Sequence, residues 1–333
     1  MKTQNVRQIV FTGPDRIEVL NRPMDRPGDN DVVIRTTVTM ISPGTETACL
    51  TAQPNGLTYP HTPGYSHTGV ITEVGRSVQN LAVGDRVYSQ SRHIEYAVLP
   101  ADAASLIRIP DTVSDEEAVL ATLGAVALYG VRRAGVTLGD TVAIVGAGLV
   151  GLLALKLSML CGARTVHMLD VRRDRRELAH ACGADSVASP ADPDASVDPT
   201  HGEGFDVVLD ATGNPKAVRT SLALARIRGR VALLGSPHGP ASLDDWFYEL
   251  DRKDVTLIGC HQPNNPLAAS TVYGHDQRSE RALFLELAAK KKLVLSDLPC
   301  GRISPDRAPE AYRRIRDPEC AFLTYLFDWS EII

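Results

Sequence analysis

The chain has 333 residues, of which 44% are hydrophobic and 23% charged, and carries a formal net charge of −5 with a pI near 6.0. That length suggests two domains with sizeable cores, and the mildly acidic balance leaves no electrostatic footprint for nucleic acid or an anionic membrane. No apolar run is long enough for a transmembrane helix, and Met1 to Arg7 lack the apolar core of a secretory signal, so a cytoplasmic enzyme is expected.

The first third of the chain has strand composition. Runs at 7–11, 16–20 and 31–38 are separated by Gly-Pro and Pro-Gly turns, and further runs follow at 69–75, 85–88, 94–99 and 107–110. Many short strands punctuated by Gly and Pro imply a partly closed barrel. After Ser114-Asp115-Glu116-Glu117, which has the form of a helix cap, the period changes. Helix patterns at 115–133, 149–161, 173–182 and 215–227 alternate with strand patterns at 141–145, 165–169, 205–210, 230–235 and 254–259. Such alternation implies a doubly wound parallel sheet covered on both faces, so the class is α/β. Pro190 to Gly204 reads as a surface loop. The tail offers a helix at 308–315 and a strand at 321–327 that returns to the first domain. The expected domains are thus 1–114 with 302–333, and 115–301.

Between strand 141–145 and the following helix stand Gly146, Gly148 and Gly151, spaced as G-x-G-x-x-G. The first glycine permits a tight turn, the second lets a pyrophosphate approach the backbone, and the third lets helix and strand pack closely. The motif alone is weak evidence, but the next strand ends in Asp170, nineteen residues beyond Gly151. A carboxylate there accepts hydrogen bonds from an adenosine ribose. The expected cofactor-binding set is Gly146, Gly148, Leu149, Val150, Gly151, Asp170, Val171, Arg172, Ala211, Thr212, Gly235 and His261. Asp170 favours NAD because its charge repels a 2′-phosphate, while Arg172 and Arg173 leave NADP open. The six cysteines are scattered with no C-x-x-C pair, which speaks against structural zinc and a disulfide framework.

Pro63-Gly64-Tyr65-Ser66-His67-Thr68-Gly69-Val70-Ile71-Thr72-Glu73-Val74-Gly75, then Val83-Gly84-Asp85-Arg86-Val87, Asp206 to Gly213 and Gly229 to Gly235 resemble, in order, segments of the medium-chain dehydrogenase/reductase superfamily. The resemblance implies a GroES-like β-barrel catalytic domain built from both chain ends and a central Rossmann domain. It also exposes departures. Where zinc alcohol dehydrogenases of this superfamily place three catalytic zinc ligands, this chain has Pro43, Tyr65 and Thr122. Proline cannot ligate, and neutral Tyr and Thr are poor zinc ligands. The four-Cys zinc lobe is missing, and no carboxylate or thiol accompanies His61, His67 and His93 at a metal-binding spacing. No zinc is expected.

Without zinc, a developing alkoxide or enolate needs hydrogen-bond donors. The candidates are Thr45, Tyr65, Ser66 and Thr122, with Thr45 at the position of the family's proton-relay hydroxyl. Tyr65 either donates to the substrate oxygen or fills the vacated zinc volume. Glu46 is either a proton acceptor or the ion-pair partner of an arginine. His61 is a candidate proton exchanger and otherwise a surface histidine. The Ile41-Ser42-Pro43-Gly44-Thr45-Glu46 turn resembles that of bacteriochlorophyllide a dehydrogenase-like members, and similar chains occur among cyclitol and sugar reductases. This implies a zinc-independent oxidoreductase acting on a ketone or secondary alcohol. The alternatives are a quinone or enoyl reductase acting on an activated C=C, and a dinucleotide-binding protein without turnover. A small-molecule substrate and a homodimer through the edge strand at 255–259 complete the expectation.

Overall fold

A computed structural model describes residues 5–53, 57–191, 200, 202–236, 247–266 and 275–330; most of the loop expected at 190–204 lies outside them. Contacts divide the chain into Met1–Thr122 with Leu267–Ile333, and Leu123–Pro266.

The first unit opens with an antiparallel ribbon of β1 (Asn5–Gly13) and β2 (Arg16–Pro23). There follow β3 (Asp31–Met40), helix α1 (Pro43–Leu50), β4 (His67–Val74), β5 (Arg86–Ser89), β6 (Tyr96–Pro100), β7 (Ile107–Arg108) and the one-turn α2 (Asp115–Ala118). The segment read as a turn at 42–46 is instead the start of α1. Pro43 stands in its first turn, where the missing N–H removes no intrahelical bond. The predicted cap at Ser114 is present as a reciprocal pair: Ser114 accepts from the Glu117 amide, and the Glu117 carboxylate accepts from that of Ser114. The expected helix at 115–133 is divided, with α3 (Ala121–Ala134) as its longer part.

The second unit carries β8 (Thr141–Val145), α4 (Leu149–Leu160), β9 (Thr165–Leu169), α5 (Arg173–Ala181), β10 (Ser186–Ala188), β11 (Phe205–Asp210), α6 (Ala217–Leu224), β12 (Ala225–Leu233), α7 (Phe247–Arg252) and β13 (Thr256–Gly259). Its strands pair in the order β10-β9-β8-β11-β12-β13, all parallel. This is the dinucleotide-binding order, which reverses direction beside β8. All five residues of β8 are buried, so a continuous apolar run encodes it. The helix expected at 215–227 ends early, and β12 begins at Ala225. Ala225 pairs with Phe205 of β11 there, and that pairing outweighs the helical pattern.

The chain then returns to the first unit through α8 (Gln277–Ala289), β14 (Cys300–Ile303), α9 (Ala308–Ile315) and β15 (Thr324–Asp328). Strand β15 pairs with β3, as expected for the tail, and completes a seven-stranded sheet. The domain breaks expected at 114/115 and 301/302 therefore shift to 122/123 and 266/267. The reason lies in contacts that periodicity does not report: Arg278 donates to the Ala103 carbonyl, Thr112 to that of Ala289, and Lys291 to that of Thr112. Around Ile9, Phe11, Leu50, Tyr312, Phe327 and Trp329, the ribbon, α1, α9 and β15 share one core. No helix among the described residues is long and apolar enough to cross a membrane.

Candidate functional site

In the second unit the glycine loop follows β8. Gly146 has φ +98°, a left-handed conformation that a side chain rarely adopts. A Cβ on Gly151 would lie 1.9 Å from the Gly146 carbonyl oxygen, so only glycine lets α4 pack this closely. Gly148 caps α4 without a side-chain bond, and no acidic residue occupies the first turn. The amides of Leu149, Val150 and Gly151 are thus the open donors of a helix start. A Cβ on Gly148 would meet nothing within 4 Å. Open space over uncapped amides suits a pyrophosphate.

Asp170 follows β9 and is fixed by two backbone amides, Ala147 to Oδ2 at 2.7 Å and Arg172 to Oδ1 at 2.8 Å. The acid is thereby tied to the glycine loop. The Arg172 guanidinium turns to Asp174 at 2.9 and 2.5 Å, and Val171 is 74% exposed. Thr212 also adjoins the loop: its Cγ2 would lie 3.0 Å from a Cβ on Gly146, and the Ala211 Cβ 3.6 Å from one on Gly151. Asp210 organises this end of β11. Its Oδ1 accepts from the Thr212 amide and hydroxyl, its Oδ2 from Ser221, and its carbonyl from the Gly235 amide. Burial raises the Asp210 carboxyl above the usual range. His261 is exposed just after β13, where it precedes a 3₁₀ turn at Gln262–Asn264. The expected residues therefore gather at the C-terminal ends of parallel strands, where open α/β sheets bind ligands.

The hydroxyl candidates belong to the first unit. Tyr65 Oη donates to Ser42 Oγ, and the Thr45 side chain is near enough to the phenol to favour its ionised form slightly. Burial pushes the Tyr65 phenol up to about 12, so it stays protonated at neutral pH. Thr45 is exposed and Tyr65 partly so, whereas Thr122 is only 4% exposed. The Thr122 hydroxyl donates to the Tyr65 carbonyl at 3.2 Å and lies 2.7 Å from Tyr88 Oη. With its single proton committed, Thr122 fixes the Tyr65 backbone rather than facing a ligand. Ser66 Oγ is buried and has no hydrogen-bond partner among the described residues. His61 is half-buried and bridges the backbone of Phe11, and its imidazole pKa is lowered by burial and then by Arg92.

Glu46 is the carboxylate of a buried network. It is 2% exposed and, among the described residues, pairs with no arginine. Oε1 accepts the Ser42 amide at 2.8 Å, and Oε2 meets His93 Nε2 at 2.9 Å and Tyr312 Oη at 2.5 Å. His93, itself fully buried, places Nδ1 2.8 Å from Thr39 Oγ1, which Trp329 Nε1 reaches at 3.0 Å. Sequence spacing offers His93 no carboxylate; the fold supplies Glu46 from 47 positions away. Ser42, the acceptor of Tyr65, is thus held by a buried five-residue chain. No local pattern announces it.

The same geometry tests zinc. Pro43 lies in α1, Tyr65 is a neutral phenol bonded to Ser42, and Thr122 is bonded within the protein. Among the described residues, no three His, Cys, Asp or Glu side chains gather to hold an ion. The donors at these positions do not fit zinc.

Residues 28–111 match the alcohol dehydrogenase GroES-like domain, and residues 150–273 the zinc-binding dehydrogenase domain. An L-threonine 3-dehydrogenase from Pectobacterium atrosepticum is 30% identical over 264 residues, covering 68% of this chain and 72% of that protein. Two solved structures share the fold. One, described provisionally as a zinc-binding dehydrogenase of Sinorhizobium meliloti 1021 bound to NADP, has a TM-score of 0.82 at 23% identity, covering 98% of this chain and 99% of that one. The other, an alcohol dehydrogenase of Escherichia coli CFT073 complexed with NADH, has a TM-score of 0.81 at 18% identity, covering 97% and 99%.

Proposed function

The chain belongs to the medium-chain dehydrogenase/reductase superfamily and is an NAD(P)-dependent oxidoreductase, and from that premise we propose that it interconverts a ketone and a secondary alcohol without zinc. The observation that carries this is the Tyr65 phenol, which stands where related enzymes place a zinc ligand and donates to Ser42 with Thr45 alongside. A bound nicotinamide supplies the hydride chemistry. The protein's part is to stabilise negative charge on the substrate oxygen and to exchange a proton with it. Tyr65 suits the first task because its phenol remains a donor up to about pH 12. Ser42 orients that phenol, and exposed Thr45 stands beside it on the solvent side. Thr122 holds the Tyr65 backbone, and Glu46 holds Ser42.

For the cofactor we favour NAD. Asp170 would repel a 2′-phosphate, and Arg172, the side chain best placed to neutralise one, is paired with Asp174. A small polyol or sugar-like ketone is the substrate class we favour, since a hydroxyl-lined site matches polar ligands. Strand β13 ends the six-stranded sheet among the described residues, and that edge supports a homodimer, which we place in the cytoplasm; sedimentation showing only monomer removes that dimer. Chelator-treated protein supplied with NADH or NADPH tests the proposal against cyclic ketones on one side, and enones and quinones on the other. The expected result is NADH-preferred turnover of the first group. Turnover confined to enones, or to NADPH, contradicts it.

A further inference from the structure

Arg92 lies on the segment joining β5 to β6. Its neighbour His93 is fully buried, donates its amide to the Pro63 carbonyl, and is held between Thr39 and Glu46. The Arg92 backbone is therefore fixed, while its side chain is exposed. Nη1 makes one long bond, 3.4 Å, to the carbonyl of Gly64, the residue before Tyr65. The positive charge is felt on the same face of the unit: it lowers the pKa of His61 and opposes the rise at Cys49, which lies one turn beyond Thr45 in α1.

The neighbouring arginines of this unit are neutralised. Arg86 meets Asp115, Arg108 meets Asp85, and Arg7 meets Glu95. Arg92 forms no ion pair among the described residues. The carboxylate whose field reaches the same groups is Glu46, which is buried and bonded through both oxygens. A guanidinium presents five N–H donors in a planar fork that fits carboxylate or phosphate oxygens. Here that fork stands open beside the Tyr65 turn.

We propose that Arg92 anchors an anionic group of the substrate, a carboxylate or a phosphate monoester, beside the hydroxyls that receive its carbinol oxygen. The proposal rests on the reading of Tyr65 and Thr45 as the substrate-oxygen site. It narrows the substrate to a hydroxy acid, a polyol phosphate or the corresponding ketone. Neutral alcohols of the same skeleton bind without this contact.

His61 supplies a readout that does not depend on turnover. Its imidazole titration, followed by NMR between about pH 5 and 8 on the full chain saturated with NAD, senses the charge at Arg92. The probes are 3-hydroxybutyrate, glycerol 3-phosphate, the neutral 2-butanol, and sodium chloride at matched ionic strength. An anion seated on Arg92 should raise the His61 midpoint, whereas 2-butanol and salt leave it in place. R92Q should raise the midpoint by itself and abolish the response to either anion; R92K should retain part of it. The anion effective at lower concentration identifies carboxylate or phosphate as the preferred group. No anion response in the wild type, or an equal response in R92Q, overturns the proposal. In turnover assays, kcat/KM should favour the anionic alcohol over 2-butanol by about tenfold or more, and R92Q should lose that preference while keeping its rate on 2-butanol. An anion response at His61 without turnover of any probe leaves the Arg92 site standing and counts against the hydride-transfer reading.

Discussion

The nucleotide loop and the hydroxyl cluster are held in place by different means. The loop is built from backbone: Gly146 and Gly151 pack with no room for side chains, and even Asp170 is oriented by two amides. The cluster is built from side chains drawn from several elements, with Glu46 reached by His93, by Tyr312 and by the Ser42 amide. A backbone-built site fails when atoms are added, and a side-chain-built site fails when atoms are removed. The two regions should therefore respond to opposite kinds of substitution.

The largest expected effect is at Gly151. Gly151→Val places side-chain atoms where even a Cβ would lie 1.9 Å from the Gly146 oxygen. It should abolish NADH binding by calorimetry and unfold or expand the second unit; near-normal binding would sink the backbone account. Gly148→Ala is the control, since its added methyl meets nothing within 4 Å. It should leave stability unchanged and weaken NADH binding by about tenfold.

Glu46→Ala comes next. Removing one partner from a buried charged network typically costs about 3–5 kcal/mol, and His93, Tyr312 and the Ser42 amide would all lose their acceptor. Urea unfolding should show that loss in the first unit, with NADH affinity retained. A loss below about 1 kcal/mol, the scale of an exposed pair, would mean the network is not a structural tie.

Tyr65→Phe should be smaller in stability and specific to turnover. Removing one preorganised donor costs about 10²–10³ in kcat in comparable sites, and NADH binding should not change. Equal kcat in the two proteins would make Tyr65 a filler of volume rather than a donor.

The most gradual effect is that of pH on stability. Burial, then the charge of His93, holds the His67 imidazole down at about 3, against an ordinary value of 6.5. Its ring sits between Thr36 and Ser89 at 2.9 and 2.8 Å. The unfolded chain takes up the proton below 6.5 and the folded chain does not, so stability is fully present above 6.5 and falls as pH drops toward 3. The slope from this group is at most about 1.4 kcal/mol per pH unit. His67→Gln should flatten that portion of the urea-midpoint profile, and an unchanged profile would assign the acid sensitivity elsewhere.

The same contrast explains what the sequence disclosed. Strands 141–145, 165–169 and 205–210 form at their expected residues because each is a short apolar run bounded by turn residues. The dinucleotide set was legible because its chemistry is local: three glycines, a helix start and one acid at fixed spacing. The hydroxyl positions were legible only as replacements for absent ligands. Their bonding was not, because Glu46 and His93 lie 47 positions apart, Glu46 and Tyr312 lie 266 apart, and no periodicity links them. Thr122 shows the limit most clearly: its place was found, but its proton goes to the Tyr65 carbonyl. Arg92 gave no signal at all, since an unpaired charge becomes visible only when its surroundings are known.

Metal content measured together with turnover tests the central claim most directly. Protein dialysed against a strong chelator should contain far less than one zinc per chain and keep full NADH-dependent reduction of its ketone substrate, with Tyr65→Phe abolishing most of that rate. One zinc per chain that survives purification, together with activity lost on chelation and restored by zinc alone, would contradict the account.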